Sequence, residues 1–301
     1  MLDLKQKFFP KILALLLAVS LLGGCATGDS GIDWDALESA QETANARFKR
    51  HSLDAMPIET VYPDHGLRAL AQSAKDGDID RIETLVQSGQ DVNGTGIFGV
   101  SALYWPLKRN MYWNDRESAL RGVEKLLELG ANPNLIHHNP HFTDGADSMI
   151  HYAARLGEDK FLLALLRHGG DPNLRIGTHQ ETPLFAAMRA DHITGPQVVN
   201  VLLDAGADID AQRQPTADNN FDVGGETPIM KAFTYNHFEL VLHLLNAGAD
   251  YRIHDNSGET LLDQLAFRNS RLERSFRSDS WNKLNDWFRT RNIALPEARG
   301  F

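Results

Sequence analysis

From about residue 65 to residue 293, apolar side chains recur at helical spacing in short paired segments, and the second segment of each pair ends the same way. Two apolar residues are followed by a glycine turn and an acidic or amide residue. The copies are Leu85-Val86 to Gly89-Gln90-Asp91-Val92-Asn93, Leu126-Leu127 to Gly130-Ala131-Asn132-Pro133-Asn134, and Leu165-Leu166 to Gly169-Gly170-Asp171-Pro172-Asn173. Two more run from Leu202-Leu203 to Gly206-Ala207-Asp208-Ile209-Asp210 and from Leu244-Leu245 to Gly248-Ala249-Asp250. Such self-similarity predicts stacked helical units, each too small to cover its own apolar stripe.

The last four of these units also have an opening signature: Ser101-Ala102-Leu103-Tyr104, Ser148-Met149-Ile150-His151, Thr182-Pro183-Leu184-Phe185 and Thr227-Pro228-Ile229-Met230. The hydroxyl residue is expected to cap the first helix, and proline suits the first turn, where no backbone donor is needed. Ala153-Ala154 lets neighbouring helices approach. Gly157 or Asn236 is expected to end a first helix in a left-handed turn, and Gly89, Gly130, Gly169, Gly206 and Gly248 to end the second helices. A degenerate sixth copy opens at Thr260-Leu261-Leu262-Asp263, with residues 281–293, including Leu284, Trp287 and Phe288, as its second helix.

These residues resemble the ankyrin-repeat family. The resemblance implies an all-α solenoid of about five to six helix-turn-helix repeats with elongated finger loops over residues 63–295, followed by a tail at 296–301. It also implies hydrogen bonding between repeats at His151. The chain departs from the family in period: its turn glycines stand 41, 39, 37 and 42 residues apart, against a usual repeat of about 33. The excess falls between helices at residues 111–118 and 193–197, and in the fingers, the longest of which are 135–147 and 211–226.

Variable first-helix and finger positions on a rigid stack are where a partner is expected to be read. Aromatic and arginine residues carry much interface energy, and they stand there as Trp105, Arg109, Tyr112, Trp113, Phe142, Tyr152, Arg155, Arg189, Phe221 and Tyr235. His137 and His138 join them in the second long finger. Tyr112 and Trp113 equally suit a core for the inserted segment.

The N-terminus follows another pattern. Lys5, Lys7 and Lys11 precede an apolar run at residues 12–22 that ends in Gly23-Gly24-Cys25, the layout of an export signal. At eleven residues the run is shorter than the roughly 20 a spanning helix needs. Leu22-Gly23-Gly24-Cys25 resembles the lipobox of bacterial lipoproteins. That resemblance implies cleavage after residue 24, acylation of Cys25 including palmitate, and, with Ala26 following it in a Gram-negative host, the periplasmic face of the outer membrane. Residues 25–62 are then a tether, with a helical patch at 34–47.

Charge excludes one class of partner. The formal charge of −10 becomes −12 once the leader leaves with three lysines and one aspartate, so no basic stripe of the kind that displaces phosphate counterions is expected, and nucleic acid is not a partner. Cys25 is the one cysteine, so no intrachain disulfide forms.

Candidate chemistry is sparse. Gly94-Thr95-Gly96-Ile97-Phe98-Gly99 fits a dinucleotide fingerprint but lies in a finger without the required strand and helix. Gly28-Asp29-Ser30-Gly31 resembles a serine-protease signature but sits in the tether. His137, His138 and His141 are near enough in sequence to share a metal, yet lack the accompanying ligand pattern. No cofactor, metal or catalytic residue is assigned.

The expected function is protein binding. Extracytoplasmic ankyrin lipoproteins resemble immunity proteins that bind and inhibit a toxic secreted effector of the hydrolase or lipase class. The alternative is a housekeeping envelope scaffold that stabilises or localises an endogenous periplasmic protein; an enzyme is the remaining class.

Overall fold

The computed structural model describes residues 53, 56–108, 116–138, 145–189, 196–215, 224–271 and 278–296. The leader, Cys25 and the helical patch at 34–47 lie outside them, as do Arg109, Tyr112, Trp113, Phe142 and Phe221. The chain divides into two units, Met1–Met56 and Pro57–Phe301, and every helix and strand named here belongs to the second.

After a single turn, α1 (Ile58–Val61), the helices come in pairs: α2 (His65–Asp76) with α3 (Ile79–Gln87), then α4 (Tyr104–Leu107) with α5 (Arg116–Glu128). Next come α6 (Met149–Leu156) with α7 (Asp159–Arg167) and α8 (Pro183–Met188) with α9 (Pro196–Asp204). The series ends with α10 (Pro228–Thr234) and α11 (Phe238–Asn246), then α12 (Leu261–Arg271) and α13 (Asp279–Thr290). First helices pack on first helices, as α2 on α4, α6 on α8 and α8 on α10, while α3, α5, α7 and α9 form a second layer. The leucines between the layers are buried: Leu126, Leu165, Leu202 and Leu244 have no exposed surface. α1 and the buried Tyr62, placed in the tether by sequence, belong to this unit, and the Tyr62 hydroxyl donates to Ser101 O at 2.7 Å.

The fold is mostly helical, with one addition to the all-helical expectation. The second finger contains β1 (Ile136–His138) and β2 (Ala146–Ser148), paired antiparallel with His137 opposite Asp147. The first and third fingers hold single bridges, Thr95 to Ser101 and Ile176 to Glu181. The turn glycines behave as expected: Gly89, Gly130, Gly169, Gly206 and Gly248 all have positive φ, as do Gly157 and Asn236. The second helices of the two long units begin inside the expected insertions, α5 at Arg116 and α9 at Pro196, so residues 116–118 and 196–197 are helical.

Capping departs from the expectation. Ser148 Oγ accepts from the backbone N–H of His151 and also meets His151 Nδ1 at 2.8 Å. Thr182 and Thr227 occupy the same position but make no cap bond, and their buried hydroxyls have no partner among the described residues. Three residues on, Phe185 and Met230 stand where the histidine does, so these hydroxyls also lack the ring nitrogen that Ser148 meets. In the degenerate sixth unit Thr260 and Asp263 bond reciprocally, Thr260 N to Asp263 Oδ2 at 2.9 Å and Asp263 N to Thr260 Oγ1 at 3.3 Å, a capping box.

One polar ladder ties the stack together. Asn93, Asn134 and Asn173 donate Nδ2 to the carbonyls of Gly130, Gly169 and Gly206 at 3.0, 2.9 and 2.9 Å. The same side chains accept from the backbone of Asn132, Asp171 and Asp208 at 2.7, 2.8 and 2.7 Å. Asp210 takes the fourth place and accepts from Asp250 N at 2.9 Å, but a carboxylate has no hydrogen for Gly248 O. Burial pushes its carboxyl up, and the charges of Asp250 and Asp208 add to that. Asp210→Asn is therefore expected to raise stability by about 1 kcal/mol, one added hydrogen bond, read as a higher urea midpoint; an unchanged or lower midpoint would reject the ladder reading.

Candidate functional site

The first helices and fingers bring charged and aromatic side chains to one side of the stack. On α6, the Arg155 guanidinium donates from Nη2 to Asp147 Oδ2 at 2.6 Å, with the Asp147 side chain fully buried and Arg155 20% exposed. Ser148 N donates to Asp147 Oδ1 at 2.9 Å. Burial pushes this carboxyl up, but the Arg155 charge and hydrogen bond, with His137 and His151, outweigh it and hold it below the usual range. The guanidinium also lies 5.4 Å from the Tyr152 ring centre, a cation–π contact. Tyr152 in turn meets Tyr104 at 5.4 Å, and Tyr104 meets His137 at 6.1 Å.

The arrangement recurs along the stack. Arg189 pairs with Glu181, and Arg213 with Glu226. Lys231 lies 4.0 Å from Glu226 and over the Tyr235 ring at 5.4 Å. Earlier in the chain, Lys108 lies 4.0 Å from the Trp105 ring centre, and Trp105 Nε1 donates to Gln72 Oε1 at 3.3 Å.

Several residues expected to meet a partner are instead interior. Trp105 is 8% exposed, His137 4% and Tyr152 3%. Each packs between a first helix and its finger or neighbour, so it offers little area to a partner and serves to hold the charged groups in place. Arg155, Arg189 and Tyr235 remain accessible, Tyr235 at 42%. His137 and His138 point to opposite faces of β1, one buried and one exposed, as strand alternation requires. They therefore do not converge on a metal, and no metal-holding group of three or more His, Cys, Asp or Glu occurs among the described residues.

Sequence reasoning missed the carboxylates and the fingertip. Asp147, Glu181 and Glu226 each stand immediately before the hydroxyl residue that opens their unit, and Lys108, Arg155 and Arg189 each stand seven residues after one; both regularities are legible once the openings are aligned. Phe98 is 39% exposed with a left-handed φ of 59° at the first fingertip. Beside it Ile136 is 52% exposed, and the His138 ring lies 5.9 Å from the Phe98 ring.

His151 sits beneath the charged row. Its Nε2 is 3.1 Å from Glu181 O and its Nδ1 is 2.8 Å from Ser148 Oγ, so the neutral Nε2–H tautomer satisfies both. Burial pulls its pKa down to about 4; Asp147 and the Glu181 carbonyl oppose this, and Arg155 and Arg189 reinforce it. Below about pH 6.5 the unfolded chain takes up a proton that the folded chain refuses, so stability falls with pH down to about 4. The size is roughly 3 kcal/mol for this group. His137, also depressed by burial, acts in the same direction. Urea midpoints between pH 7 and 4 should drop steeply for the wild type and less for His151→Gln; equal slopes would refute the assignment.

The chain matches the family models described as "Ankyrin repeats (3 copies)" over residues 114–213 and "Ankyrin repeats (many copies)" over residues 202–263. Among curated proteins it is similar to Ankyrin repeat and SOCS box protein 6 of Pongo abelii, 28% identical over 156 residues, which is 52% of this chain and 33% of that protein. The Homo sapiens protein of that name is 27% identical over the same length. Putative palmitoyltransferase ZDHHC13 of Danio rerio is 23% identical over 234 residues, 69% of this chain and 34% of that protein. The match thus spans about a third of the length of these relatives. Among the described residues no helix is long and apolar enough to cross a membrane.

Proposed function

The chain carries ankyrin repeats, a scaffold that binds proteins, and from that premise we propose a lipid-anchored protein of the periplasmic face of the outer membrane that captures a protein partner. Its five to six repeats present the first-helix side and the fingertips to that partner. The finer reading is an immunity protein that binds and inhibits a secreted toxic effector of the hydrolase or lipase class. The anchor is supported by Leu22-Gly23-Gly24-Cys25 following an apolar run behind three lysines.

The observation that carries the binding reading is Phe98. An aromatic side chain held in the open on left-handed backbone, beside the exposed Ile136, strains the fold without serving its core. Strain of that kind persists where a surface has a task. Phe98→Gly is expected to raise stability by about 1 kcal/mol, through relief of that backbone strain, while weakening partner capture. A variant that is less stable and binds equally would remove this support.

Three measurements test the reading as a whole. Palmitate should label the wild-type chain and not Cys25→Ser; an unlabelled wild type ends the anchor. A partner should co-purify stoichiometrically with the wild type and be lost with Phe98→Asp/Ile136→Asp. A deletion strain should die beside a toxin-bearing sister strain and be rescued by the wild-type gene alone; equal survival ends the immunity reading.

A further inference from the structure

Within the partner-binding reading, on which this inference rests, the first helices say what kind of segment they suit. Four successive first helices each carry one cation: Lys108 just beyond α4, Arg155 on α6, Arg189 just beyond α8 and Lys231 on α10. Lys108, Arg155 and Arg189 occupy the same place in their units, seven residues past the hydroxyl residue that opens each. In the two central units the carboxylate lies deeper than its partner, with Asp147 at 0% against Arg155 at 20%, and Glu181 at 10% against Arg189 at 30%. The negative groups are thus the floor and the guanidiniums the surface. In the next unit Lys231, at 14%, and Glu226, at 19%, lie at similar depth. Two outward guanidiniums and a half-buried lysine thus run against the overall charge of −10.

A second observation points to a missing acceptor. Arg189 Nε is buried and has no hydrogen-bond partner among the described residues, whereas its Nη2 is held by Glu181. Buried N–H groups ordinarily find acceptors, and a guanidinium edge is matched best by a carboxylate. The floor carboxylates also fix the arginines in one orientation, so little side-chain freedom is left to lose on binding.

Spacing narrows the ligand. Neighbouring helices pack about 8–10 Å apart, and an extended peptide advances about 3.3 Å per residue. Carboxylates about three residues apart would therefore meet successive cations. We propose that the first-helix face from Arg155 to Lys231 receives an extended acidic segment of the protein partner, with Asp or Glu at about every third position.

The test uses fluorescein-labelled (Glu-Ser-Gly)4 against the full chain at low and moderate salt. Binding should be saturable, should weaken at least tenfold at higher salt, and should exceed that of a peptide with the same four glutamates in one block. Lys231→Gln, and separately the pair Arg189→Gln/Glu181→Gln, which leaves no orphaned carboxylate, should each weaken binding at least fivefold while Tm stays within a few degrees. No peptide binding, equal binding by the blocked peptide, or equal competition by heparin fragments or duplex DNA would overturn the proposal. So would retention of the co-purified partner by these variants, which would leave the scaffold reading standing; that reading fails separately if the wild type captures nothing.

Discussion

Gly122→Ala, a change that ordinarily strengthens a helix interior, is expected to destabilise this protein by about 3 kcal/mol, as backbone overpacking does at the upper end of its usual range. Gly122 is in the middle of α5, where α5 crosses α2. A Cβ there would lie 1.8 Å from Ala74 O, 2.5 Å from Ala74 C and 2.7 Å from Ala74 Cα. All three are backbone atoms, so no rotamer change relieves the clash and the two helices must part. The better helix propensity of alanine returns only about 1 kcal/mol. The control is Gly130→Ala, at φ 94° with nothing within 4 Å of the methyl that alanine would add. Left-handed backbone alone should cost that variant about 1 kcal/mol. Urea midpoints should therefore rank Gly122→Ala below Gly130→Ala; the reverse order would mean that α2 and α5 are not in this contact.

That ranking is invisible in the sequence, and the reason separates what the chain announces from what it conceals. The helix pairs, the turn glycines and the buried leucines are local or repeated properties, so aligning Gly89, Gly130, Gly169, Gly206 and Gly248 is enough to find them. The close approach at Gly122 depends on Ala74, 48 positions earlier, and no period in the chain connects the two. The candidate site divides the same way. Arg155 and Arg189 are legible as long side chains at variable positions. Trp105 and Tyr152 have the composition of an interface but are covered by Gln72 and Lys108 in one case and by Tyr104 and Arg155 in the other. Whether an aromatic faces in or out is set by such neighbours, because first helices as short as α4 give too few turns for a periodicity to decide. Phe98 is hidden differently: its segment reads as a glycine-rich finger, and nothing in it marks the phenylalanine as a residue held at positive φ.

The second large effect concerns Arg155, and it changes how the binding face should be probed. Arg155→Ala leaves the Asp147 carboxylate, fully buried, without the charge that holds it ionised. Breaking such a pair from one side costs roughly 3–5 kcal/mol. A loss of partner capture in that variant would then report unfolding as readily as a lost contact. Asp147→Asn should be milder, because Arg155 keeps some exposure to water and an amide still accepts its hydrogen bond. Arg155→Met/Asp147→Asn removes both charges and should recover most of the stability. The deficit of Arg155→Ala should also shrink on acidification. Without the guanidinium, burial dominates and pushes the Asp147 carboxyl above its unfolded value, so the folded variant takes up a proton before the unfolded chain does. Its stability relative to wild type therefore rises as pH falls through that raised pKa. Urea midpoints for wild type, both single variants and the double variant at pH 7 and pH 5 measure all of this. Equal deficits for Arg155→Ala at the two pH values, or a double variant no better than Arg155→Ala, would show that Asp147 is not the buried counter-charge beneath the row of cations.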